Sequence, residues 1–287
     1  MQKMIIDVVV FGYGKLINQL LIELLRKDLS IICITDQKVF LPGYESESKV
    51  KFLSRREILN FEVNCNVSIF AWKDTKHLYE NNGLLKTWLE SDLFVCTKSF
   101  FLSSASVYKG SEILITESNS NLAKDIQSNA KHRLEEALSE IMLSKSGRNV
   151  NLRISNVYGM ELSYGFIGSL FQNVKNGTPI RIFKGAEIFR DYISINDVIF
   201  AITNLINKNM AIKSINVSSG IGTSVDQVLS IFNRLGYMLN PAVEEIVNEP
   251  FRFSVVLDCT VLASLISWAP KPLNLEIERM LQKNGIS

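Results

Sequence analysis

The sequence has few of the residues that build disulfide frameworks and metal sites. Of its 287 residues, four are cysteine and two are histidine. The cysteines form no Cys-x-x-Cys pair; they are Cys33, Cys65, Cys96 and Cys259. A disulfide-stapled fold and a histidine-rich metal site are therefore not indicated. We expect reduced thiols and a cytoplasmic protein.

Long apolar runs and a strong net charge are also lacking. No stretch reaches the roughly 18 uncharged apolar residues that a membrane span needs, so no membrane partner is expected. The first apolar run, residues 5–11, contains Asp7 and ends at Gly12 without a cleavage site. It favours a buried strand over a signal peptide. A net charge of +2 gives no broad basic surface, so no nucleic-acid partner is expected either.

Short apolar runs alternate with helical patterns over the first two thirds of the chain. Strands are predicted at residues 5–11, 30–35, 67–72, 98–103 and 150–155, and helices at 15–27, 75–91 and 122–144. The polar residues 41–62 are interpreted as a loop with a short helix. This alternation is typical of βαβ units and a parallel sheet.

The pattern loosens after Tyr158. Helices are predicted at 166–175, 196–207, 224–235 and 275–282, and strands at 180–183, 214–217 and 243–257. We predict an α/β fold: a doubly wound parallel sheet (Rossmann-type) with a smaller mixed C-terminal substrate lobe. The expected boundaries are 1–156, also receiving 190–217, for the dinucleotide-binding domain and 157–287 for the lobe.

Two glycines lie between the first predicted strand and helix. Gly12 and Gly14 would permit a tight turn that brings backbone N–H groups to a pyrophosphate at the helix N-terminus. The third glycine of the G-x-G-x-x-G pattern is replaced by Ile17. Asp36 follows the second strand, 22 residues after Gly14, where a carboxylate would bind a ribose 2′-hydroxyl. The pattern therefore favours NAD, with NADP less favoured.

Further motifs resemble the extended short-chain dehydrogenase/reductase family, the NAD-dependent epimerases and dehydratases of nucleotide sugars. The resemblance rests on residues 103–108 (SSASVY), 152–159 (LRISNVYG), 190–198 (RDYISINDV) and 215–220 (INVSSG). Several motifs in the family's order cover nearly the whole chain. The resemblance implies hydride transfer between NAD and a nucleotide-diphosphate sugar.

The resemblance assigns two catalytic residues and shows one departure. Ser104 would hydrogen-bond the reacting sugar oxygen, although an isolated serine at a strand end is more often a turn residue. Lys131 would be the lysine of the family's Tyr-x-x-x-Lys pair and would hold the nicotinamide ribose. Gln127 stands where the family has the tyrosine. Glutamine cannot exchange a proton near neutral pH, so the standard reaction is expected to be impaired.

Two other side chains are weighed as replacement proton donors. Tyr108 is more often a packed tyrosine at a strand end. His132, adjacent to Lys131, is expected to point away from it on the helix.

By resemblance, four residues belong to the substrate site. Asn156 would contact the sugar or its diphosphate, Arg190 and Arg252 would bind the diphosphate, and Tyr192 would wall the nucleotide pocket. Without the motif, Arg190 would be interpreted as a partner of Asp191 or another surface acid.

Two main functions remain open from the sequence, besides a weaker third, an atypical reductase whose proton comes from water or from Tyr108. One is an NAD-dependent epimerase, dehydratase or reductase of a nucleotide-diphosphate sugar. The other is a catalytically silent relative that binds nucleotide or nucleotide sugar and regulates or scaffolds a partner. The family often pairs subunits through two helices from each chain, so a homodimer is expected.

Overall fold

The computed structural model of the protein describes residues 2–39, 41, 43–44, 48–110, 114–119, 122–123, 125–160, 162–178, 180–184, 188–237, 241–245 and 254–283. Its strands are β1 Gln2–Phe11, β2 Ile31–Ile34, β3 Val50–Leu53, β4 Phe61–Phe70, β5 Phe94–Cys96, β6 Lys98–Ser104, β7 Arg148–Ile154, β8 Asn156–Tyr158, β9 Ile180–Lys184, β10 Arg190–Ser194, β11 Ser214–Val217, β12 Gly222–Thr223 and β13 Pro241–Glu245. Its helices are α1 Lys15–Arg26, α2 Lys76–Glu90, α3 Ile126–Ser144, α4 Gly165–Asn176, α5 Ile195–Leu205, α6 Val225–Arg234, α7 Thr260–Leu265 and α8 Leu273–Lys283.

The main sheet has the strand order β11-β7-β6-β4-β1-β2-β3, with β5 paired to β4. Each neighbouring pair from β6 to β3 is parallel, as is the β4–β5 pair. The central strands β1 and β2 end in uninterrupted buried apolar residues, as expected for strands covered on both faces. The predicted Rossmann-type parallel sheet is confirmed.

Sequence pattern and capping explain the helices beside the sheet. Helix α1 buries one stripe at helical spacing: Ile17, Leu20, Leu21, Leu24 and Leu25. Helix α3 begins where the Asp125 carboxylate accepts the backbone N–H groups of Gln127 and Ser128. The predicted helix began at residue 122, which was too early because the cap lies at Asp125.

The interpretation of residues 41–62 as a loop with a short helix was wrong in part. It missed β3, which pairs with β2 through the register Ile31↔Val50 to Ile34↔Leu53. It also placed the start of β4 six residues too late, since that strand begins at Phe61. Polar residues alternate with apolar ones in the first part of β4, and this weakened the apolar signal used for the prediction.

The chain divides into two compact units. The first consists of residues 1–107, 124–153 and 202–215, and the second of residues 108–123, 154–201 and 216–287. The second unit contains a mixed sheet, β12-β10-β8, and the parallel pair β13–β9. Its apolar cluster joins α4, α6 and α8, with Phe171 and Phe232 in edge contact. The boundary expected between residues 156 and 157, which would separate the dinucleotide-binding domain from the lobe, stays a prediction.

None of the helices in the described ranges combines the length and the apolarity needed to cross a membrane.

Candidate functional site

The turn after β1 needs glycine at one position and leaves open space at another. Gly12 has φ 100°, and its N–H donates to the Ile34 carbonyl at 2.9 Å. A Cβ on Gly12 would lie 3.1 Å from the Ala71 carbonyl oxygen, so a side chain there would strain the turn. A Cβ on Gly14 would meet no heavy atom within 4 Å. Backbone at the start of α1 is therefore open to a ligand.

Ile17 fills the place of the third glycine. Its side chain is only 3% exposed and belongs to the buried stripe of α1. The helix thus uses this position for packing against the sheet, where the pattern's glycine would allow a closer approach.

Asp36 lies beyond β2 and is held by Arg55, which follows β3. The Asp36 carboxylate accepts the Arg55 backbone N–H at 3.2 Å and the Arg55 Nε–H. Burial opposes ionisation of Asp36, but these hydrogen bonds outweigh it and keep the pKa of the carboxyl below its usual range. Sequence reasoning missed Arg55. The sequence held one sign of it: Arg55 lies two positions after the largely apolar residues 50–53, which were interpreted as part of a loop.

Lys131 is anchored at the carboxyl ends of two strands. Its ammonium donates to the carbonyl oxygens of Trp72 (2.7 Å) and Leu102 (3.1 Å), which lie after β4 and within β6. It also lies 4.9 Å from the ring centroid of Phe101. Burial lowers the pKa of Lys131 to about 8, because removal of water disfavours the charged amine.

Ser104 ends β6, two residues beyond the carbonyl that binds Lys131. Its hydroxyl oxygen accepts the Ser106 backbone N–H at 3.1 Å, which is the turn role considered for an isolated serine. The side chain is partly exposed, so its own O–H can still reach a ligand. The structure therefore brings Gly12, Ser104 and Lys131 to one edge of the sheet.

Gln127 lies in the first turn of α3 and is exposed. Tyr108 is 2% exposed, and its hydroxyl donates to Asn216 Oδ1 at 2.9 Å. His132 faces two acids of its own helix, with Nδ1 3.6 Å from Glu135 and Nε2 3.4 Å from Glu136. Tyr108 is thus packed, as considered for a tyrosine at a strand end, and the His132 ring is directed at these two acids.

A buried ion pair ties α3 to β6 and β7. Arg153 donates to the Glu135 carboxylate through Nε (3.0 Å) and Nη2 (2.7 Å), and Ser103 donates to the same carboxylate at 2.6 Å. All three side chains are less than 9% exposed. Glu135 is four residues after Lys131, so this network fixes the helical turn that carries the lysine.

In the second unit, Asn156 and Tyr192 are register partners on β8 and β10. Asn156 donates to the Asp191 carbonyl at 2.9 Å. Tyr192 is 8% exposed, and burial raises the pKa of its phenol to about 12. Arg190 donates to the Phe189 carbonyl at 3.2 Å. Arg252 lies outside the described residues.

Asp191 serves as an anchor inside the second unit. Its fully buried carboxylate accepts the Ser219 N–H (2.9 Å) and hydroxyl (2.7 Å), and the Gly220 N–H (3.0 Å). Burial raises the pKa of this carboxyl despite these bonds. The contacts hold the loop after β11 against β10, next to Arg190.

A cavity of about 110 Å³ also lies in the second unit. It is lined by Tyr158, Gly159, Met160, Ser194, Ile195, Asn196, Glu276, Arg279, Met280 and Lys283. Among the described residues, none of those given a catalytic or binding role by the resemblance lines it, so the cavity does not define the candidate site.

Comparisons with known proteins find relatives over parts of this chain. dTDP-4-dehydro-6-deoxyglucose reductase of Escherichia coli is 26% identical over 216 residues, covering 72% of this chain and 62% of that protein. ADP-L-glycero-D-manno-heptose-6-epimerase of Brachyspira hyodysenteriae is 30% identical over 139 residues, covering 44% of this chain and 43% of that protein. The chain thus matches less than two thirds of the length of either relative.

A solved structure shares the fold. A variant of UDP-glucuronic acid 4-epimerase from Bacillus cereus, in complex with UDP-4-deoxy-4-fluoro-glucuronic acid and NAD, matches with a TM-score of 0.80. The two are 17% identical, and the match covers 97% of this chain and 99% of that one. The family model described as NAD dependent epimerase/dehydratase family matches residues 71–218, just over half of the sequence. The chain therefore belongs to the NAD dependent epimerase/dehydratase family.

Proposed function

We propose that the protein binds NAD and acts as an epimerase, dehydratase or reductase of a nucleotide-diphosphate sugar. The observation that carries the proposal is the meeting of Gly12, Ser104 and Lys131 at the carboxyl edge of adjoining parallel strands. Ligands of open α/β sheets bind at this edge. The matched relatives are named as enzymes of nucleotide sugars, which favours an enzyme over the catalytically silent alternative.

The residues of the first unit fit a dinucleotide. The open space at Gly14 leaves room for a pyrophosphate against the backbone N–H groups at the start of α1. The Asp36 carboxylate would accept a ribose 2′-hydroxyl and would repel a 2′-phosphate, so NAD is preferred to NADP. Lys131 would donate to the hydroxyls of the nicotinamide ribose.

The resemblance indicates which side chains would contact the nucleotide sugar. When bound, NAD supplies a hydride acceptor or donor. Ser104 would orient the reacting sugar oxygen, and Arg190 and Arg252 would bind the diphosphate, because a guanidinium matches phosphate oxygens. Asn156 and Tyr192 would contact the sugar and the nucleotide. Gln127 would hydrogen-bond the sugar without exchanging its proton.

The cellular setting follows from the thiols. The four cysteines are free, and three of them are buried. We infer a reducing, cytoplasmic environment from this usage.

The first test is a calorimetric titration of the purified protein with NAD⁺, NADH, NADP⁺ and NADPH. We expect NAD⁺ and NADH to bind, and NADP⁺ and NADPH to bind more weakly. Binding of none of the four would contradict the proposal.

The second test restores the tyrosine. In Gln127→Tyr, we expect the turnover of UDP-glucose or dTDP-glucose to rise by roughly 10²–10⁴-fold, the usual contribution of a general acid–base group. Gln127→Phe, which has the ring but no hydroxyl, is the matched control. Retained NAD binding with no gain from tyrosine would favour the silent relative.

A further inference from the structure

Four ionisable side chains meet beside the predicted ribose position. We call Asp36, Arg55, His77 and Glu80 the Arg55 cluster. Arg55 binds Asp36 through its backbone N–H and Nε, and its Nη1 donates to Glu80 and lies 2.6 Å from His77 Nδ1. His77 and Glu80 lie one turn apart on α2, with Nδ1 and Oε1 separated by 3.8 Å.

The cluster is located where a dinucleotide would present its adenosine ribose. Asp36 follows β2, Arg55 follows β3, and α2 follows β4, so all members lie at the carboxyl edge of the sheet. Asp36 is two residues beyond Ile34, whose carbonyl accepts the Gly12 N–H. The cluster therefore flanks the glycine turn.

Two opposed recognition chemistries are present in this cluster. A carboxylate at this position accepts a hydrogen bond from a ribose 2′-hydroxyl, whereas an arginine donates hydrogen bonds to a 2′-phosphate. Here the arginine is shared between two carboxylates. Both Nη1 hydrogens are directed at α2, one at Glu80 and one at His77. The two negative charges of Glu80 and Asp36 outweigh the single positive charge of Arg55, which disfavours a further anion beside them.

The ring of His77 is itself held in place. It lies 5.6 Å from the Trp72 ring, which is buried in edge contact with the stacked rings of Phe11 and Phe70. The α2 side of the cluster is thus fixed to the core, and Arg55 is the long side chain that must adapt to its partners.

We propose that Glu80 determines the selectivity of the protein for NAD over NADP by holding the Nη1 group of Arg55 on α2, away from the ribose 2′ position. Glu80 acts through Arg55 and is a positioning residue. The inference rests on the proposed dinucleotide site and adds the group that sets its selectivity. With the Glu80 charge removed, Nη1 of Arg55 loses its charged partner and the cluster loses a negative charge, so Arg55 can turn to a 2′-phosphate.

The test is the ratio of dissociation constants for NAD⁺ and NADP⁺, measured by calorimetry. We expect Glu80→Gln to strengthen NADP⁺ binding about tenfold, equivalent to about 1.4 kcal/mol, with little change for NAD⁺. Glu90→Gln is the matched control, because Glu90 is an exposed acid at the far end of α2 that pairs with Lys86. It should leave the ratio unchanged.

A double variant tests whether Arg55 is the side chain that binds the 2′-phosphate of NADP⁺. In Glu80→Gln combined with Arg55→Gln, the gain in NADP⁺ affinity should disappear. An unchanged ratio in Glu80→Gln, or a gain that survives the loss of Arg55, would overturn the inference while leaving dinucleotide binding in place. Absence of binding of both dinucleotides to the parent protein would overturn the proposed function and this inference with it.

Discussion

Lys131 shows how a single residue couples the site to the stability of the protein. Its amine is removed from water and bound by two carbonyl oxygens, and burial lowers its pKa from 10.5 to about 8. Below pH 8 the folded and unfolded chains both carry the proton, and the folded state bears the full cost of the buried charge. Between pH 8 and 10.5 the folded state releases the proton first.

A pH-dependent stability difference follows for Lys131. Relative to Lys131→Met, the free energy of unfolding of the parent protein should rise between pH 8 and 10.5, by on the order of 3 kcal/mol if the whole shift is realised. Urea denaturation of both proteins at pH 7 and at pH 10 measures it. If the difference in free energy of unfolding between the two proteins is the same at pH 7 and at pH 10, the predicted cost of burying the charge is contradicted.

Residues that belong to local motifs could be predicted from the sequence, and those that act through distant partners could not. Gly12 was selected from a local turn pattern, and Lys131 from the resemblance of a short helical segment to the family's motif. Arg55 and Glu80 are 19 and 44 residues from Asp36 in the chain, and no short pattern joins them. Their association depends on the strand order of the sheet, which places the ends of β2, β3 and β4 at one edge.

At the level of elements, α3 depends on a buried charge. Helix α3 was predicted from its periodicity, yet its position against β6 and β7 is fixed by the polar Glu135–Arg153 pair. Strand β3 was missed because its own sequence carries little signal. It has only four residues, of which three are at least partly exposed, and its pairing with β2 identifies it better than its own composition does.

Breaking the Glu135–Arg153 pair should be costly, whereas replacing both members should cost much less. We expect Glu135→Leu to lower the free energy of unfolding by about 3–5 kcal/mol, because Arg153 is left buried without its partner. The double variant with Arg153→Met should recover much of this loss. Chemical denaturation measures both effects.

The surface pair Lys86–Glu90 provides the matched control for that experiment. Both side chains are about one third or more exposed, so Lys86→Ala should cost about 1 kcal/mol or less. A cost for Glu135→Leu as small as this would show that the pair does not hold α3 in place.

For the whole molecule, we expect a homodimer formed through α3. Two apolar side chains of this helix are strongly exposed, Ile126 at 89% and Leu143 at 75%. Light scattering coupled to size exclusion should give about twice the chain mass of 32.4 kDa. Leu143→Glu should reduce the mass to that of one chain. Leu275→Glu, at an exposed leucine of α8, should not. A parent protein of single-chain mass would contradict the prediction.

The discontinuous first unit has a consequence for synthesis of the protein. This unit is complete only when residues 202–215 have been made, long after its central strands. Until β11 emerges from the ribosome, β7 remains the edge of the parallel sheet and presents unpaired backbone groups to other chains. Residues 154–201, which belong to the second unit, are synthesised during that interval. The nascent chain therefore passes through a stage in which association with other chains competes with folding.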